Sequence, residues 1–281
     1  MTAFSLTRIA PTPSGFLHLG NALSFLITAA LAKRTGARTL LRIDDLDKER
    51  TDKKYVRDIF DTLHFLGIPW EEGPRDYDEY KKDFSQVHRM PLYEAALQQL
   101  KDGGKVFACE CSRREIERVD PSGAYPGTCR DKNIRLDRPG VSWRLNTGEY
   151  LPPSVKDFVI RKKNGFPSYQ VTSVVDDQHY GVDLVVRGLD LLPSTRAQLY
   201  LSSLLAGNPF GTVHFVHHPL ILESPDKKLS KSAGAASIQF LRKDGATAAD
   251  IISLIEKETG PVINFSYPIL PATYTADPAG Y

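Results

Sequence analysis

The sequence predicts an α/β fold in which a parallel sheet is split by an inserted segment. Three observations predict it. Short apolar stretches of strand period alternate with helical stretches, the middle from 103 to 154 is irregular apart from one strand, and the alternation resumes beyond it.

Taken in order, residues 4–10 alternate and read as a strand, which Pro11, Pro13 and Gly15 break. From His18 the spacing of Leu19, Leu23, Leu26, Ile27, Ala30 and Leu31 is helical until Gly36 stops it. Residues 38–43 read as a strand, and Val56, Ile59, Phe60, Leu63 and Leu66 mark one face of a helix that ends at Gly67. A second helical stretch, 84–102, ends at Gly103-Gly104. Residues 141–146 and 155–161 read as strands, the latter turning through Asn164-Gly165 into a short returning segment. Then 183–188 is a strand, 194–206 a helix stopped at Gly207, 213–222 an extended piece, and a last helix lies around 248–257. The expected organisation is two halves of one sheet domain at 1–102 and 155–225, an insertion at 103–154, and a polar segment with a short extension at 226–281. No internal repeat or low-complexity tract interrupts it.

With 281 residues, 41% hydrophobic and 25% charged, the chain is large enough to bury a sizeable core. The amino terminus lacks a positive-then-apolar signal pattern, and no apolar run approaches the ~18–20 residues of a membrane span, so a cytoplasmic protein without a membrane partner is expected, as a monomer. A net charge of +2 provides no strong global field for nucleic acid. Any RNA contact must use local basic patches.

Two short motifs lie far apart: H-L-G-N at 18–21 and K-L-S-K-S at 228–232. His18 and Gly20 open a helix directly after a strand, where free N–H groups and the positive dipole end attract phosphate and a glycine permits close approach. Lys228 and Lys231, with Ser230 and Ser232, sit in a polar run between Pro225 and Gly234. Lysines there can neutralise charge that develops on a leaving pyrophosphate. Together the motifs predict an ATP site comprising His18, Gly20, Asn21 and Lys231, with His18, Lys228 and Lys231 in the chemistry.

Charged residues at predicted strand ends form a second group. Arg8 and Arg187 fall at carboxyl ends of predicted parallel strands, where open α/β sheets bind ligands, and suit carboxylates; Asp44, at another strand end, suits an ammonium. A third group is Cys109, Cys111 and Cys129, confined to 21 positions and odd in number. These argue against a disulfide framework and for a metal or a reactive thiol; one structural zinc is the better fit, its fourth tetrahedral position left by the spacing to water or a side chain such as His88.

The two motifs resemble the His-Ile-Gly-His and Lys-Met-Ser-Lys-Ser signatures of class I aminoacyl-tRNA synthetases. L-R-I-D-D-L-D at 41–47, V-V-D-D-Q-H-Y-G-V at 174–182 and V-V-R-G-L-D at 185–190 resemble the glutamyl branch, and the likeness runs from about residue 5 to 235. It implies a Rossmann-like parallel sheet split by a zinc-binding insertion, with ATP and Mg²⁺ as co-substrate. It also implies a glutamate site on Arg8, Ile9, Ala10, Pro11, Thr12, Asp44, Tyr169 and Arg187. Cys-x-Cys followed by Tyr-x-x-x-Cys is similar to the zinc knuckle of the glutamyl-Q tRNA(Asp) synthetases, which implies Tyr125 as fourth ligand. Three positions depart from the family pattern: Asp44 stands for glutamate, Thr12 for serine, and Ser173 for the asparagine of many full-length glutamyl enzymes. Forty-nine residues follow Ser232, too few for the helical anticodon-gripping domain of a discriminating glutamyl-tRNA synthetase. The resemblance therefore implies activation of L-glutamate and its transfer to the queuosine of tRNA(Asp). The alternatives are a short glutamyl-tRNA synthetase that charges a tRNA 3′ end and a non-catalytic RNA-binding relative.

Overall fold

A computed structural model of the chain describes residues 3–224, 227–228 and 237–260. In chain order it comprises β1 (Leu6–Ile9), α1 (Leu19–Thr35), β2 (Arg38–Leu41), α2 (Lys53–Phe65) and α3 (Tyr77–Glu79), which passes into a π turn at Tyr80–Phe84 and a 3-10 turn at Gln86–Arg89. Then come α4 (Met90–Asp102), β3 (Val106–Cys109), α5 (Arg113–Val119), β4 (Ser142–Leu145), β5 (Val159–Arg161) and α6 (Tyr169–Tyr180). β6 (Leu184–Gly188), α7 (Leu192–Ser203), β7 (His214–His218), β8 (Leu222–Ser224), β9 (Lys227–Lys228), α8 (Ile238–Lys243) and α9 (Ala248–Thr259) complete it. No helix among the described residues is long and apolar enough to cross a membrane. The residues form two compact units: the described parts of Met1–Arg89, Val182–Asp190 and His214–Leu270, and those of Met90–Gly181 and Leu191–Val213.

The first unit holds a four-stranded sheet in the order β2-β1-β6-β7, every pairing parallel. All four residues of β1 and all five of β6 are buried, as strands covered on both faces must be. Helix α1 follows β1 and buries Ala22, Leu23, Phe25, Ile27 and Leu31 against this core. Lys33 and Arg34 oppose the dipole at its carboxyl end, and Gly36, left-handed at φ 77°, ends it. The chain leaves β1 to one side to form β2 and returns on the other side as β6. The order therefore reverses between β1 and β6, which is the switch point where such sheets bind ligands.

Beyond β2 the buried Asp45 organises the return of the chain. Its carboxylate accepts hydrogen bonds from the Tyr80 hydroxyl (2.7 Å), the Ser85 hydroxyl and the Gln86 N–H (2.8 Å). Burial and the adjacent carboxylate hold the Tyr80 phenol protonated far above its usual range. Replacing Asp45 by alanine would leave these buried donors unsatisfied, and urea unfolding is expected to show a loss of about 3 kcal/mol or more. A loss below about 1 kcal/mol would mean that water replaces the carboxylate at little cost.

In the second unit, β3, β4 and β5 form an antiparallel sheet, while α4, α6 and α7 pack together. Asp157, fully buried, accepts from the Thr147 N–H (2.9 Å) and from the Arg130 guanidinium, and so closes the β4–β5 connection. Most elements lie within a few residues of the sequence expectation. The short α3, β8, β9 and α8 were not anticipated, and neither were three longer features. β3 and α5 occupy the stretch expected to be irregular, and α6 runs through V-V-D-D-Q-H-Y, which carries no helical period because Val171, Thr172, Ser173, Val174, Val175, Asp176 and Asp177 are all buried. The expected helix 84–102 begins only at Met90.

Candidate active site

The carboxyl ends of β1, β2 and β6 carry the charged residues singled out in the sequence. The parallel register sets Ile9 opposite Leu41, and the Asp44 N–H donates to the Pro11 carbonyl at 2.9 Å, so the ladder continues past the strand ends. Arg8, only 6% exposed, donates from Nη1 to the Val186 carbonyl at 3.2 Å, across the switch point between β1 and β6. Arg187 is 3% exposed, and its guanidinium lies 5.0 Å from the centre of the Phe215 ring. Two buried guanidiniums thus attend the ends of β1 and β6. His217, opposite Arg187 in the register, has its pKa pushed down to about 4 by burial, by Arg187 and by His218. It is neutral at pH 7, so positive charge here comes from the arginines.

Asp44 is buried as well, and both its oxygens are engaged by Arg42, Nε to Oδ1 at 2.7 Å and Nη2 to Oδ2 at 3.1 Å. The pairing aims the carboxylate while leaving lone pairs for a further donor. Ile9 is buried, and its carbonyl accepts the Arg42 N–H at 2.9 Å. Ala10 is half-buried, Pro11 buried and Thr12 exposed. Gly188 leaves room where β6 ends: a Cβ there would come within 2.6 Å of an Asp190 carboxylate oxygen and 2.9 Å of Leu220, so both side chains would have to shift.

Helix α1 begins beside this cluster. His18 is its N-cap residue, and Asn21 reaches back so that its Oδ1 accepts the His18 N–H at 3.1 Å. A side chain on Gly20 would come within 3.0 Å of the His18 ring, so the glycine keeps room for the imidazole. Farther along α1, the Ser24 hydroxyl bonds to Nε2 of His218, whose Nδ1 faces the Pro219 carbonyl at 2.7 Å. Nδ1–H donates to the Pro219 carbonyl, so in the neutral ring Nε2 is the acceptor for the Ser24 hydroxyl. Burial lowers the His218 pKa and keeps this neutral form. Of the polar run, Lys228 belongs to β9, paired antiparallel to β8 opposite Leu222. Lys231, Ser230 and Ser232 lie outside the described residues.

The remaining site residues belong to the second unit. Tyr169 opens α6 and is 40% exposed; Ser173, on the same helix, is fully buried. The Sγ atoms of Cys109, Cys111 and Cys129 lie within 4.8 Å of one another, with Cys111 and Cys129 at 3.5 Å. About 3.8 Å is the separation that ~2.3 Å bonds to a tetrahedral zinc would give. Cys109 ends β3, while Tyr125 and Cys129 follow α5 and belong to a small cluster with Ile116. The Tyr125 oxygen accepts the Cys129 N–H at 2.8 Å, and its ring lies 3.8 Å from the Arg144 guanidinium. Burial would raise the Cys109 pKa, but the Tyr125 hydroxyl, the Cys111 N–H and Arg144 outweigh it and hold the thiol below its usual range. Burial together with the neighbouring sulfurs pushes Cys111 up to about 12. Three thiols so placed cannot all ionise without a cation among them, and the set is one that a metal ion could occupy. His88, the other candidate from spacing, donates from Nε2 to the Lys81 carbonyl at 3.1 Å, and no histidine joins the cysteine group among the described residues.

Arg42, His218 and Ser24 were not legible in the sequence. Arg42 could have been found from its position two residues before Asp44, close enough in sequence for the two side chains to pair.

A family model described as "tRNA synthetases class I (E and Q), catalytic domain" matches residues 6–137 and 146–259. Similar curated proteins carry the name glutamyl-Q tRNA(Asp) synthetase. The one from Nocardia farcinica is 36% identical, over 90% of this chain and 84% of its own. That from Nitratidesulfovibrio vulgaris is 33% identical over 92% and 87%, and that from Rhodobacter capsulatus 34% over 89% and 99%. Among solved structures, a glutamate-tRNA synthetase from Elizabethkingia anophelis superposes with a TM-score of 0.66 at 22% identity. That match covers 86% of this chain and 54% of the other, so this chain spans about half the length of that enzyme and shares its fold.

Proposed function

Because this chain belongs to the glutamyl-Q tRNA(Asp) synthetase family of class I tRNA synthetases, we propose that it activates L-glutamate with ATP and then transfers the glutamyl group to queuosine in the anticodon loop of tRNA(Asp). In the first step the α-carboxylate attacks the α-phosphorus of ATP, which enters as its Mg²⁺ complex, and pyrophosphate leaves. In the second a hydroxyl of the queuosine cyclopentene diol attacks the adenylate carbonyl, and AMP leaves. The reaction belongs in the cytoplasm, where ATP, glutamate and tRNA meet.

The observation that carries this reading is the pair of buried guanidiniums, Arg8 and Arg187, flanking the switch point beside the start of α1. Two cations fixed in a buried site match a substrate with two carboxylates. In the proposal Ile9, Ala10, Pro11 and Thr12 supply backbone and hydroxyl contacts along one side of the substrate. Asp44 takes the ammonium. Its side chain is one methylene shorter than the glutamate of related sequences and is held by Arg42, so a bridging water completes the contact. His18, Gly20 and the first N–H groups of α1 receive phosphate oxygens, with Asn21 fixing the turn. Lys228 and Lys231 neutralise the leaving pyrophosphate. Zinc is the metal proposed for Cys109, Cys111 and Cys129, with Tyr125 completing a tetrahedral set that ties down the insertion; its role is structural.

The test is transfer of labelled glutamate to tRNA(Asp) with and without queuosine, with periodate treatment of the 3′ ribose. The expected result is labelling only of queuosine-bearing tRNA, independent of an intact 3′ ribose. Charging of queuosine-free tRNA, abolished by prior periodate oxidation, would instead make the chain a glutamyl-tRNA synthetase of ordinary specificity. Absence of both transfer and ATP–pyrophosphate exchange would make it a non-catalytic relative.

A further inference from the structure

The peptide of Leu17, immediately before His18, is gripped from both ends. Its N–H donates to Oδ2 of Asp58 on α2 at 3.1 Å, and its carbonyl accepts the N–H of Ile238, the first residue of α8, at 2.8 Å. An isolated antiparallel bridge pairs His18 with Ser237 at the same point. Ser237 lies six positions after Lys231 in the sequence, so the backbone that follows the lysine motif is sutured to the backbone that precedes the histidine motif. The suture is dry: Leu17 is 3% exposed, Asp58 2% and Ile238 0%.

An apolar pairing of α2 with its neighbours would need no acid here. Asp58 is kept at a cost, since burial raises its carboxyl pKa despite the opposing effects of the Leu17 N–H and the Arg242 guanidinium. Arg242 belongs to α8 and stacks on Phe65 of α2 at 5.1 Å. Asp58 therefore faces both elements that border the two motifs, the Leu17 peptide directly and α8 through Arg242.

We propose that Asp58 is a positioning residue for nucleotide binding: by holding the Leu17 peptide it sets the register between the start of α1 and the start of α8. This rests on the reading of both motifs as an ATP site. Asp58 touches no substrate. Its effect passes through the Leu17 peptide, whose displacement moves His18 and the first N–H groups of α1 away from the phosphates while leaving Arg8 and Arg187 on their strands. ATP binding should suffer and glutamate binding should not, because a merely structural role would lower the active fraction without separating the two.

The experiment measures ATP affinity by calorimetry with MgATP on the full chain, together with KM for ATP and for glutamate in pyrophosphate exchange. Asp58→Ala is expected to weaken ATP binding about tenfold, with KM for glutamate changed by less than about twofold. Asp58→Asn, whose amide oxygen still accepts the Leu17 N–H, is expected to return ATP affinity to within about threefold of the original. Ile238→Pro removes the other half of the suture. Proline suits the first position of a helix, and Ser237 before it is already extended at ψ 144°, so the backbone accepts it; because the Ile238 side chain is fully buried, Ile238→Ala, which keeps the N–H, is the control, and Ile238→Pro should weaken ATP binding beyond it. That comparison decides the matter should Asp58→Ala fail to fold. ATP affinity unchanged in Asp58→Ala, or no weaker in Ile238→Pro than in Ile238→Ala, overturns the inference, as does an equal loss for ATP and glutamate. An unsubstituted chain that binds ATP but performs no exchange sinks the proposed reaction while the affinities still decide the role of Asp58; one that binds no ATP sinks both.

Discussion

Lys231→Ala is expected to lower glutamate-dependent ATP–pyrophosphate exchange by about 10²-fold or more, without any tRNA in the assay. The melting temperature should stay within about 2 °C of the original, because a lysine in a polar run contributes little to stability. The reasoning concerns timing of charge. Negative charge accumulates on the bridging oxygen as pyrophosphate departs, so a cation placed there stabilises the transition state more than the bound substrates. The effect should therefore appear in kcat rather than in KM for glutamate. Near-normal exchange by Lys231→Ala would remove the lysine motif from the mechanism. Faster exchange with aspartate than with glutamate would show that Asp44, held by Arg42, selects a different substrate.

Simultaneous replacement of Cys109 and Cys129 by serine is expected to abolish metal binding and to destabilise the unit that contains them by several kcal/mol. The apolar cluster around these cysteines is small, comprising Ile116 and Tyr125 with Phe107 and Ile134 partly buried against it. Such a cluster gains little from burial alone, whereas a structural zinc contributes ~10–16 kcal/mol of apparent binding energy in isolated zinc-finger peptides. A larger unit with its own helices depends on the ion less, so a loss of about 3 kcal/mol or more is the working expectation. Elemental analysis of the unsubstituted protein should give one zinc per chain, and thermal unfolding with and without chelator reports the stability. A chain without stoichiometric metal, or a double variant with unchanged stability, would leave the cysteines as an apolar cluster only.

Local pattern was enough for much of this fold. Strand and helix periods placed β1, α1, β2, α2, β6, α7 and β7 because each is bounded by a glycine or proline and presents apolar residues at its own spacing. The same pattern put Arg8, Asp44 and Arg187 at strand ends, and the three cysteines were visible as a group because they are close in sequence. What the sequence determined by itself, then, were features whose signal is contained within a few neighbouring residues, though β3 and the capping box of α5 were local and were still missed. Tertiary structure decided the rest. Helix α6 shows no amphipathic period because seven consecutive residues are buried, and burial on several faces erases the polar side that a helical pattern needs. Asp58 meets Leu17 across 41 residues, and Leu17 meets Ile238 across far more, so no window of sequence contains either contact. A buried carboxylate or peptide must find a hydrogen-bond partner wherever the fold supplies one, and the sequence records the donor and the acceptor without recording that they are neighbours.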